Sequence, residues 1–599
     1  MTPRRGTGPG DGITRRGALA LLATGALTGC GLGADSTVRP GLKVDGQPPA
    51  PLNRIPNRPE AGAQPAAVIR GFLHAGATSG ERLDITRSYL TDVLARGWIP
   101  DSQTVIYGGG EPKVQPVRGE QDTYRVKVPV RAIIDTEGRY TVAPPNLWEV
   151  FDFGVTRVEG EWRIDRLDEG FGRLLQEQEV GFIFRDYPVH YPAIGWNALV
   201  VDQRWFPQDQ LATRLVRAQL GRVPDYLEDA VSTDNGAKLL VDAVPVRDGV
   251  ARVDLDRDSV ADDATTRKQL AAQLVATLMS LPAVTEVQIT LSGNVLDLGV
   301  EDALTTPEQL GFVDRTQTSS PVVLARTDGK LVQVGDRLSS VSRQHLSSSD
   351  TRFPTIPDTS QLLGLRLDGK ELGAVDRTRR LLTRHRDGGP SIKVPTFAAG
   401  MTRPCYDFGG VMWVGGSGLG RESGHRLWAI NTTVDPKDVD GSSPQHVPTA
   451  WLGQRLVQAA VVSPEGSRIA VISEEVPGAG STLEVAGIVR KTNGLPIRTS
   501  PQTFRLGAEL VEIIDAVWVG PSTLAVLGRR DQQAMLQPYL VHVGGKVEAM
   551  TERPGATGVT TTGDDKDVVL VTAGHHVFQR SGGRWQEIRR LTGVVTAGV

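Results

Sequence analysis

Cysteine carries the most nucleophilic side chain available to this 599-residue sequence, which contains two, Cys30 and Cys405. Cys30 directly follows the small residues Thr28 and Gly29, at the end of an uncharged stretch that begins at Gly17. Small side chains allow an extended segment to enter a peptidase cleft, and a thiol is soft enough to form a thioether with a diacylglyceryl group. The spacing therefore predicts cleavage between Gly29 and Cys30, with lipid on the sulfur. Because a lipidated Cys30 leaves Cys405 without a disulfide partner, we expect Cys405 to be a buried, inert thiol.

The residues before Cys30 have the composition of an export signal. Their uncharged stretch, residues 17–28, is too short to span a bilayer, which takes about 20 residues. Leu27-Thr28-Gly29-Cys30 resembles a bacterial lipobox, and this resemblance implies S-diacylglyceryl and N-acyl groups on Cys30, enough for stable anchoring. An ordinary signal peptide with an incidental cysteine is the alternative. Export by the twin-arginine route, indicated by Arg15-Arg16, or by the Sec route remains open.

Motifs for catalysis or metal binding are absent from the sequence in their common forms. There is no H-E-x-x-H, no G-x-S-x-G and no phosphate-binding G-K-[ST]. Adjacent residues of a strand point to opposite faces, so His575 and His576 suit one metal ion poorly. The segment 254–258 starts like a calcium loop, but Ser259 and Thr265 stand where glycine and glutamate are required. We therefore expect no catalytic residue, no metal site and no cofactor.

Composition limits the remaining classes of function. The net charge of −3 arises from 66 basic and 69 acidic residues spread over the chain, so no large basic field exists to attract nucleic acid. A chain of this length is too long for one hydrophobic core and predicts several domains. Residues 1–29 are interpreted as a lipoprotein signal peptide and residues 30–64 as a lipidated tether, because the latter are rich in Pro and Gly.

The region 65–190 has helical patterns followed by long alternating strands. Val68 and Phe72 lie on one helical stripe, and Ile85, Tyr89 and Val93 predict a second helix. Alternation from residue 124 onward predicts an antiparallel sheet that ends in G-x-W-x-I. This order resembles the NTF2-like α+β fold, which hosts binding modules and enzymes alike.

The region 194–300 predicts the order β-α-β-β-α-β. A strand near 198 and a helix from 209 precede a hairpin with strands at 239–244 and 250–255; a helix from 265 and a strand near 287 follow. The strings D-G-V-A-R-V-D-L and L-P-A-V-T-E-V-Q-I-T-L-S-G-N strongly resemble the GerMN domain of extracytoplasmic proteins. That family is not known for catalysis.

The region 310–599 consists of short apolar strands separated by turn residues. V-S-P-E-G-S-R-I-A-V-I, from residue 462, resembles the strand–turn–strand unit of many propeller blades, and a similar plan recurs from Ala516 and Val568. A period of about 40–50 residues predicts a β-propeller of roughly six blades. The fold class is thus multidomain, α+β in the first two domains and all-β in the third.

The combination of lipobox, tether, α+β domain, GerMN domain and propeller resembles the actinobacterial LpqB lipoprotein family. The string P-C-Y-D-F-G-G-V-M-W at 404–413 is similar to that family's propeller motif, in which Ser usually stands where Cys405 is found. The resemblance implies a lipid-anchored protein on the extracytoplasmic face of the cell membrane, accessory to an MtrB-type sensor histidine kinase. Two alternatives remain: an envelope hydrolase, or a glycan-binding protein, with its site in the propeller channel.

Overall fold

The computed structural model describes residues 56–598, except for 79–82, 145, 233–235, 301–302, 314–321, 328–329, 335–337, 339–352, 357–361, 436 and 590. The signal peptide, Cys30 and most of the tether lie outside the described residues, so the statements about them stay predictions. Residues from Ile55 onward form one compact unit. None of the helices in the described part has the length and apolarity needed to cross a membrane.

The amino-terminal domain is a single sheet with three helices packed on one face and the fourth on the other. Its helices are α1 (Pro65–Ala75), α2 (Leu83–Arg87), α3 (Asp92–Gly97) and α4 (Glu177–Ile183). Its strands are β1 (Gln103–Tyr107), β2 (Lys113–Pro116), β3 (Thr123–Asp135), β4 (Tyr140–Val142), β5 (Trp148–Val158), β6 (Glu161–Arg166) and β7 (Arg173–Gln176). The strand order is β6-β5-β3-β1-β7, and β2 and β4 also pair with β3.

Helix α1 forms where the sequence predicted it, and for the expected reason. Pro65 occupies the first helical turn, where a missing N–H costs nothing. Val68, Ile69 and Phe72 recur at helical spacing and are buried against the sheet, in the same core as Phe153. Burial of this apolar stripe, rather than helix propensity, holds so short a helix in place.

Three features of this domain differ from the sequence-based expectation. The second predicted helix, 85–93, is broken into α2 and α3, because the backbone at Leu90 pairs with Ile164 of β6 and Val93 is exposed. The sheet is not wholly antiparallel, since β1 pairs in parallel with β7. The predicted strand from Tyr140 is interrupted after β4, where Pro144 precedes β5.

The second domain contains two separate sheets. A long hairpin is formed by β8 (Phe184–Pro192) and β9 (Leu199–Pro207). Helix α5 (Leu211–Leu220), β10 (Val246–Arg247), β11 (Val250–Leu255), helix α6 (Ala264–Leu278), β12 (Glu286–Leu291) and β13 (Asn294–Val295) follow. The second sheet has the order β10-β11-β12-β13, with β11 and β12 parallel because α6 makes the crossover between them.

The predicted β-α-β-β-α-β sheet is therefore wrong in two respects. Strand β9 pairs with β8 and does not join the sheet of β11 and β12. The predicted strand 239–244 makes only an isolated bridge, from Leu239 to Leu255. Its backbone is diverted because the Val244 N–H donates to Thr213 Oγ1 of α5 (2.9 Å), and Pro245 next to it has no N–H.

The third domain is a closed series of six sheets. The first contains β14 (Val323–Thr327), β15 (Lys330–Val334) and the last strand of the chain, β39 (Gly593–Thr596). The second contains β16 (Leu362–Leu365), β17 (Glu371–Val375), β18 (Leu382–Arg386) and β19 (Ser391–Lys393). The third contains β21 (Cys405–Tyr406), β22 (Val411–Gly415), β24 (Leu427–Asn431) and β25 (Gln445–His446), and helix α7 (Val439–Ser442) lies between β24 and β25 in the chain. The strands β20 (Ala398–Ala399) and β23 (Ser417–Gly418) form a separate small pair.

The remaining three sheets continue the same up-and-down order. The fourth contains β26 (Leu456–Val462), β27 (Arg468–Glu474), β28 (Thr482–Arg490), β29 (Pro496–Thr499) and β30 (Phe504–Leu506). The fifth contains β31 (Glu512–Gly520), β32 (Thr523–Arg529), β33 (Gln537–His542) and β34 (Val547–Ala549). The sixth contains β35 (Ala556–Thr561), β36 (Val568–Thr572), β37 (Val577–Ser581) and β38 (Arg584–Ile588).

The first strands of successive sheets contact one another and close a ring. They run β16, β21, β26, β31, β35 and finally β39, which returns to β16 through a bridge between Ala597 and Leu365. Because β39 completes the sheet begun by β14, the first sheet combines both ends of the domain. This arrangement is a β-propeller-like domain, in agreement with the predicted repeat.

Candidate functional site

The β8–β9 turn carries an aromatic wedge into the propeller. Trp196 contacts Phe408, with ring centroids 4.2 Å apart and ring planes tilted by 58°, and the Arg490 guanidinium lies 4.5 Å from the centroid of the Trp196 ring. A Cβ atom at Gly494 would come within 2.7 Å of the same ring, so the close approach requires glycine there. The wedge thus joins the second domain to the turns of the third and fourth sheets.

Arg490 is buried and its charge is matched inside the propeller. Its Nη2 donates to Asp407 Oδ2 at 2.8 Å, and Trp413 Nε1 donates to the same oxygen at 3.1 Å. The Asp407 Oδ1 atom accepts from the Val411 N–H at 2.9 Å. Burial lowers the pKa of Arg490, against the opposing effect of Asp407. Asp407 therefore fixes both the motif turn and the cation that supports Trp196.

A second buried arginine ties strand β9 to the fourth and fifth sheets. Arg468 Nε donates to Glu465 Oε1 at 2.7 Å, and its Nη1 donates to the Val201 carbonyl at 2.8 Å. Its Nη2 donates to the Pro521 carbonyl. Further along β9, Trp205 Nε1 donates to the Gly544 carbonyl at 2.8 Å. The hairpin is thus held against three different turns of the propeller.

The apolar cores of the second and third domains are continuous. One cluster of buried side chains includes Leu215 and Leu274 of the second domain and Val461, Ile472 and Trp518 of the propeller. The core of the amino-terminal domain is a separate cluster. Continuous packing predicts that these two domains move and unfold together.

The outer face of the amino-terminal sheet exposes an aromatic side chain. Trp148 is 51% exposed and Val150 is 46% exposed, side by side on the outer face of β5. Lys127 of β3 pairs with Val150 across the sheet, and its ammonium lies 5.1 Å from the centroid of the Trp148 ring. Lys113 of β2 pairs with Lys127 on the same face. We name Trp148, Val150, Lys127 and Lys113 the outer sheet face.

The central channel of the ring contains a cavity of about 460 Å³ at the starts of the innermost strands. Arg403 crosses it from the third sheet, and its Nη2 donates to Asp515 Oδ1 at 2.9 Å. The second carboxylate oxygen of Asp515 accepts from the Val559 N–H at 2.9 Å. Burial raises the pKa of Asp515, even though the charge of Arg403 opposes the shift. Both oxygens of the carboxylate are thus engaged in joining strands.

Comparison with known proteins agrees with these domains. Residues 58–180 match the model "Lipoprotein LpqB, N-terminal domain", residues 192–297 match "Sporulation and spore germination" (Germane), and residues 336–596 match "Lipoprotein LpqB beta-propeller domain". The chain belongs to the LpqB lipoprotein family.

Relatives named Lipoprotein LpqB match the chain over most of its length. The protein of Thermobifida fusca is 27% identical, with 86% of each chain covered. That of Cutibacterium acnes is 26% identical over 98% of this chain and 99% of its own. Among solved structures, TolB from Acinetobacter baumannii matches 46% of this chain and 66% of its own at 13% identity and a TM-score of 0.33. The LpqB relatives indicate an envelope lipoprotein.

The residues singled out from the sequence have the following places in this LpqB-family chain. Cys405 is a free, buried thiol, and burial raises its pKa to about 11. His575 and His576 lie in the β36–β37 turn rather than in a strand; His576 Nδ1 is 2.8 Å from Glu587 Oε1, and His575 lines the channel. Asp254 accepts from Thr290 Oγ1 at 2.7 Å. No cluster of metal-ligating side chains occurs among the described residues.

Sequence reasoning missed the residues that organise the domain junction. The LpqB-family motif at 404–413 was recognised, but its Asp407 pairs with Arg490, which is 83 positions further along the chain and was not singled out. Trp196 could have indicated the domain junction from the sequence, because a large aromatic side chain in a turn needs a surface to pack against. The partners of Arg468 come from Val201 and Pro521, far apart in the chain, and no local pattern indicates them.

Proposed function

We propose that this protein is a non-catalytic accessory protein, anchored through Cys30 to the extracytoplasmic face of the cell membrane. Its partner in this proposal is the extracytoplasmic region of an MtrB-type sensor kinase, whose signalling in envelope maintenance and division it modulates. Membership of the LpqB family supports the envelope location. We also propose that the first domain has the NTF2-like fold and that the propeller has six blades.

The observation that carries the proposal is the outer sheet face. An exposed tryptophan beside an exposed valine is costly in water, and such side chains are enriched where proteins bind one another. Trp148 is the exposed aromatic residue among the large apolar side chains that the described part leaves in solvent. Lys127 and Lys113 border it with positive charge, which selects a partner surface that carries acidic groups.

The rest of the molecule provides a rigid support for such a contact. Strand β5 is paired on both sides, with β3 and β6, so the outer sheet face has a fixed shape. Gly138 of the first domain accepts from the Trp205 N–H at 2.7 Å, and Trp205 in turn donates to the propeller. A partner at the outer sheet face would therefore bind a domain that is linked to the propeller by hydrogen bonds through Trp205.

The test is capture of the kinase from detergent-solubilised membranes with the full chain as bait. We expect Trp148→Ala to reduce recovery of the MtrB-type kinase at least 10-fold, because removing a central aromatic anchor costs about 2 kcal/mol or more. Met535→Ala is the matched control, since Met535 is equally exposed on the propeller. Failure of the unaltered bait to recover the kinase above background, or equal recovery by Trp148→Ala, would contradict the proposal.

A further inference from the structure

We propose that the channel of the propeller binds a small organic anion through Arg379 and Arg403, at the mouth formed by the starts of the innermost strands. The ligand class is a carboxylate or a phosphate ester small enough for a cavity of about 460 Å³. This site is independent of the kinase contact proposed above, because it lies on a different domain and uses other residues.

The lining of the cavity comes from around the whole ring. Leu362 of β16, Gln458 of β26, Asp515 of β31, Thr557 of β35 and Gly593 of β39 each stand at or near the start of an innermost strand. Strand ends that converge in this way are where propeller channels present polar groups to a ligand. The pocket is therefore a feature of the closed ring and not of a single loop.

The charges in the cavity favour an anion. The described lining includes three arginines, Arg326, Arg379 and Arg403, and one carboxylate, that of Asp515. Asp515 is already held by Arg403 and by two backbone N–H groups, from Val559 and Ala516. The lining therefore has more positive than negative charge, and arginine forms strong charge-assisted hydrogen bonds with carboxylates and phosphates.

Backbone strain points to the same cavity. Among the described residues of the propeller, two that are not glycine have a left-handed backbone, Arg379 with φ of 54° and His575 with φ of 60°. Both lie in the turn between the second and third strands of their sheets, and both line the cavity. A left-handed arginine costs about 1 kcal/mol or more, and such strain is kept where it places a functional side chain.

The turn that holds Arg379 is fixed by other residues. The Asp376 carboxylate accepts from the backbone N–H groups of Arg380 and Leu381, and from the Thr378 hydroxyl. The Arg379 carbonyl accepts from the Met401 N–H at 2.9 Å. Asp376 is thus engaged with its own turn, while Arg379 lines the cavity and its charge acts on Asp515.

The mouth lies on the side of the ring away from the second domain. Trp196 contacts Phe408, in the turn that follows the innermost strand β21, and Arg468 links Val201 to Pro521, in the turn that follows the innermost strand β31. Trp205 donates to Gly544 in the β33–β34 turn, which lies at the same end of the fifth sheet as the β31–β32 turn. The cavity is at the opposite ends of those strands, where they start. A ligand therefore reaches it without displacing the domain junction.

The experiment is isothermal titration of the full chain, purified in detergent, with citrate and with inorganic phosphate as probes. We expect Arg379→Asn to weaken binding of the better probe at least 10-fold, as expected for loss of a charge-assisted contact. Arg377→Asn, two positions away and exposed, should leave binding unchanged. Tighter binding of phosphate than citrate would indicate a phosphate ester as the ligand, and the reverse order would indicate a carboxylate.

A second readout separates ligand binding from folding. Asparagine adopts the left-handed region more readily than arginine, so Arg379→Asn should raise the thermal midpoint while it lowers binding. His575→Asn should weaken binding by a smaller factor, about 3-fold. No heat signal with either probe, unchanged binding by Arg379→Asn, or a lowered thermal midpoint in that variant would overturn the proposal.

Discussion

The buried ion pair between Asp407 and Arg490 is a place where the replacement of a single oxygen atom should strongly lower stability. Asp407→Asn keeps the side-chain shape but leaves the buried guanidinium without its counter-charge. Breaking a buried pair by removing one partner costs about 3–5 kcal/mol, so we expect the free energy of unfolding in urea to fall by that amount. Asp229→Asn is the matched control: its carboxylate pairs with Arg498 at the surface, and the loss there should stay below about 1 kcal/mol. Similar losses in the two variants would contradict this account.

The thiol of Cys405 gives a prediction about pH. Burial raises its pKa from 9.0 to about 11, so the folded state favours the neutral thiol. The stabilisation is complete below the pKa of the unfolded chain and is lost as the pH rises from about 9 towards about 11, because unfolding then releases a proton. Urea unfolding at pH 8 and pH 10.5 measures this difference, and Cys405→Ser should remove its thiol contribution. A chain in which Cys405 reacts with a thiol reagent at pH 8 without denaturant would be inconsistent with this burial.

At the scale of elements, strongly periodic segments were predicted well. Helices α1, α5 and α6 and strands β11 and β12 form as expected, because each buries one regular stripe. Strand β8 was missed because its two prolines, Pro188 and Pro192, are typical of a linker. A two-stranded hairpin tolerates them, since each strand has a free side that needs no ladder hydrogen bond. Segment 239–244 was wrongly assigned because alternation alone does not reveal that Thr213 takes one of its N–H groups.

The candidate sites were less predictable than the fold. His575 was considered only as a metal ligand, whereas it shares the channel with Arg379 and Arg403 through closure of the ring. Arg379 and His575 are 196 positions apart in the chain (575 − 379), and they share one cavity only when β39 returns to the first sheet. The composition of each segment does not indicate this common cavity, because the position of each residue around the ring depends on the number of sheets and on their tilt.

At the scale of elements, the prediction concerns strand β39, which closes the propeller ring. Val595 of β39 is buried among Leu324, Leu363 and Leu365, so Val595→Asp would place an unpaired carboxylate in that core. We expect a loss of more than about 4 kcal/mol, enough to unfold the propeller or prevent its closure. Val295→Asp, on an exposed valine of the second domain, should change stability by less than about 0.5 kcal/mol. Circular dichroism melting of both variants measures the contrast, and a stable Val595→Asp chain would mean that β39 does not close the ring.

At the scale of the whole molecule, the described domains are connected unequally. The second domain and the propeller share one core, while the first domain has its own. The first domain meets the second through hydrogen bonds, through the contact of Tyr140 with Trp205, and through a small apolar cluster that includes Ile106 and Phe184. A partner bound at the first domain therefore acts on a domain that can unfold separately from the other two. A ligand in the channel acts on the larger, continuous unit.

This unequal connection predicts how a core mutation spreads. Leu274→Ala in α6 removes a fully buried side chain from the shared core and should cost about 2–5 kcal/mol. Because the core is continuous, hydrogen exchange in β26 and β27 of the propeller should accelerate by the factor that this loss of free energy implies, roughly 30-fold or more. Phe72→Ala in the first domain is the control, since Phe72 belongs to the separate core and should leave exchange in β26 and β27 unchanged. If Leu274→Ala accelerated exchange only within the second domain, the two domains would unfold independently, and the propeller could not transmit a signal through the junction at Trp196 and Arg468.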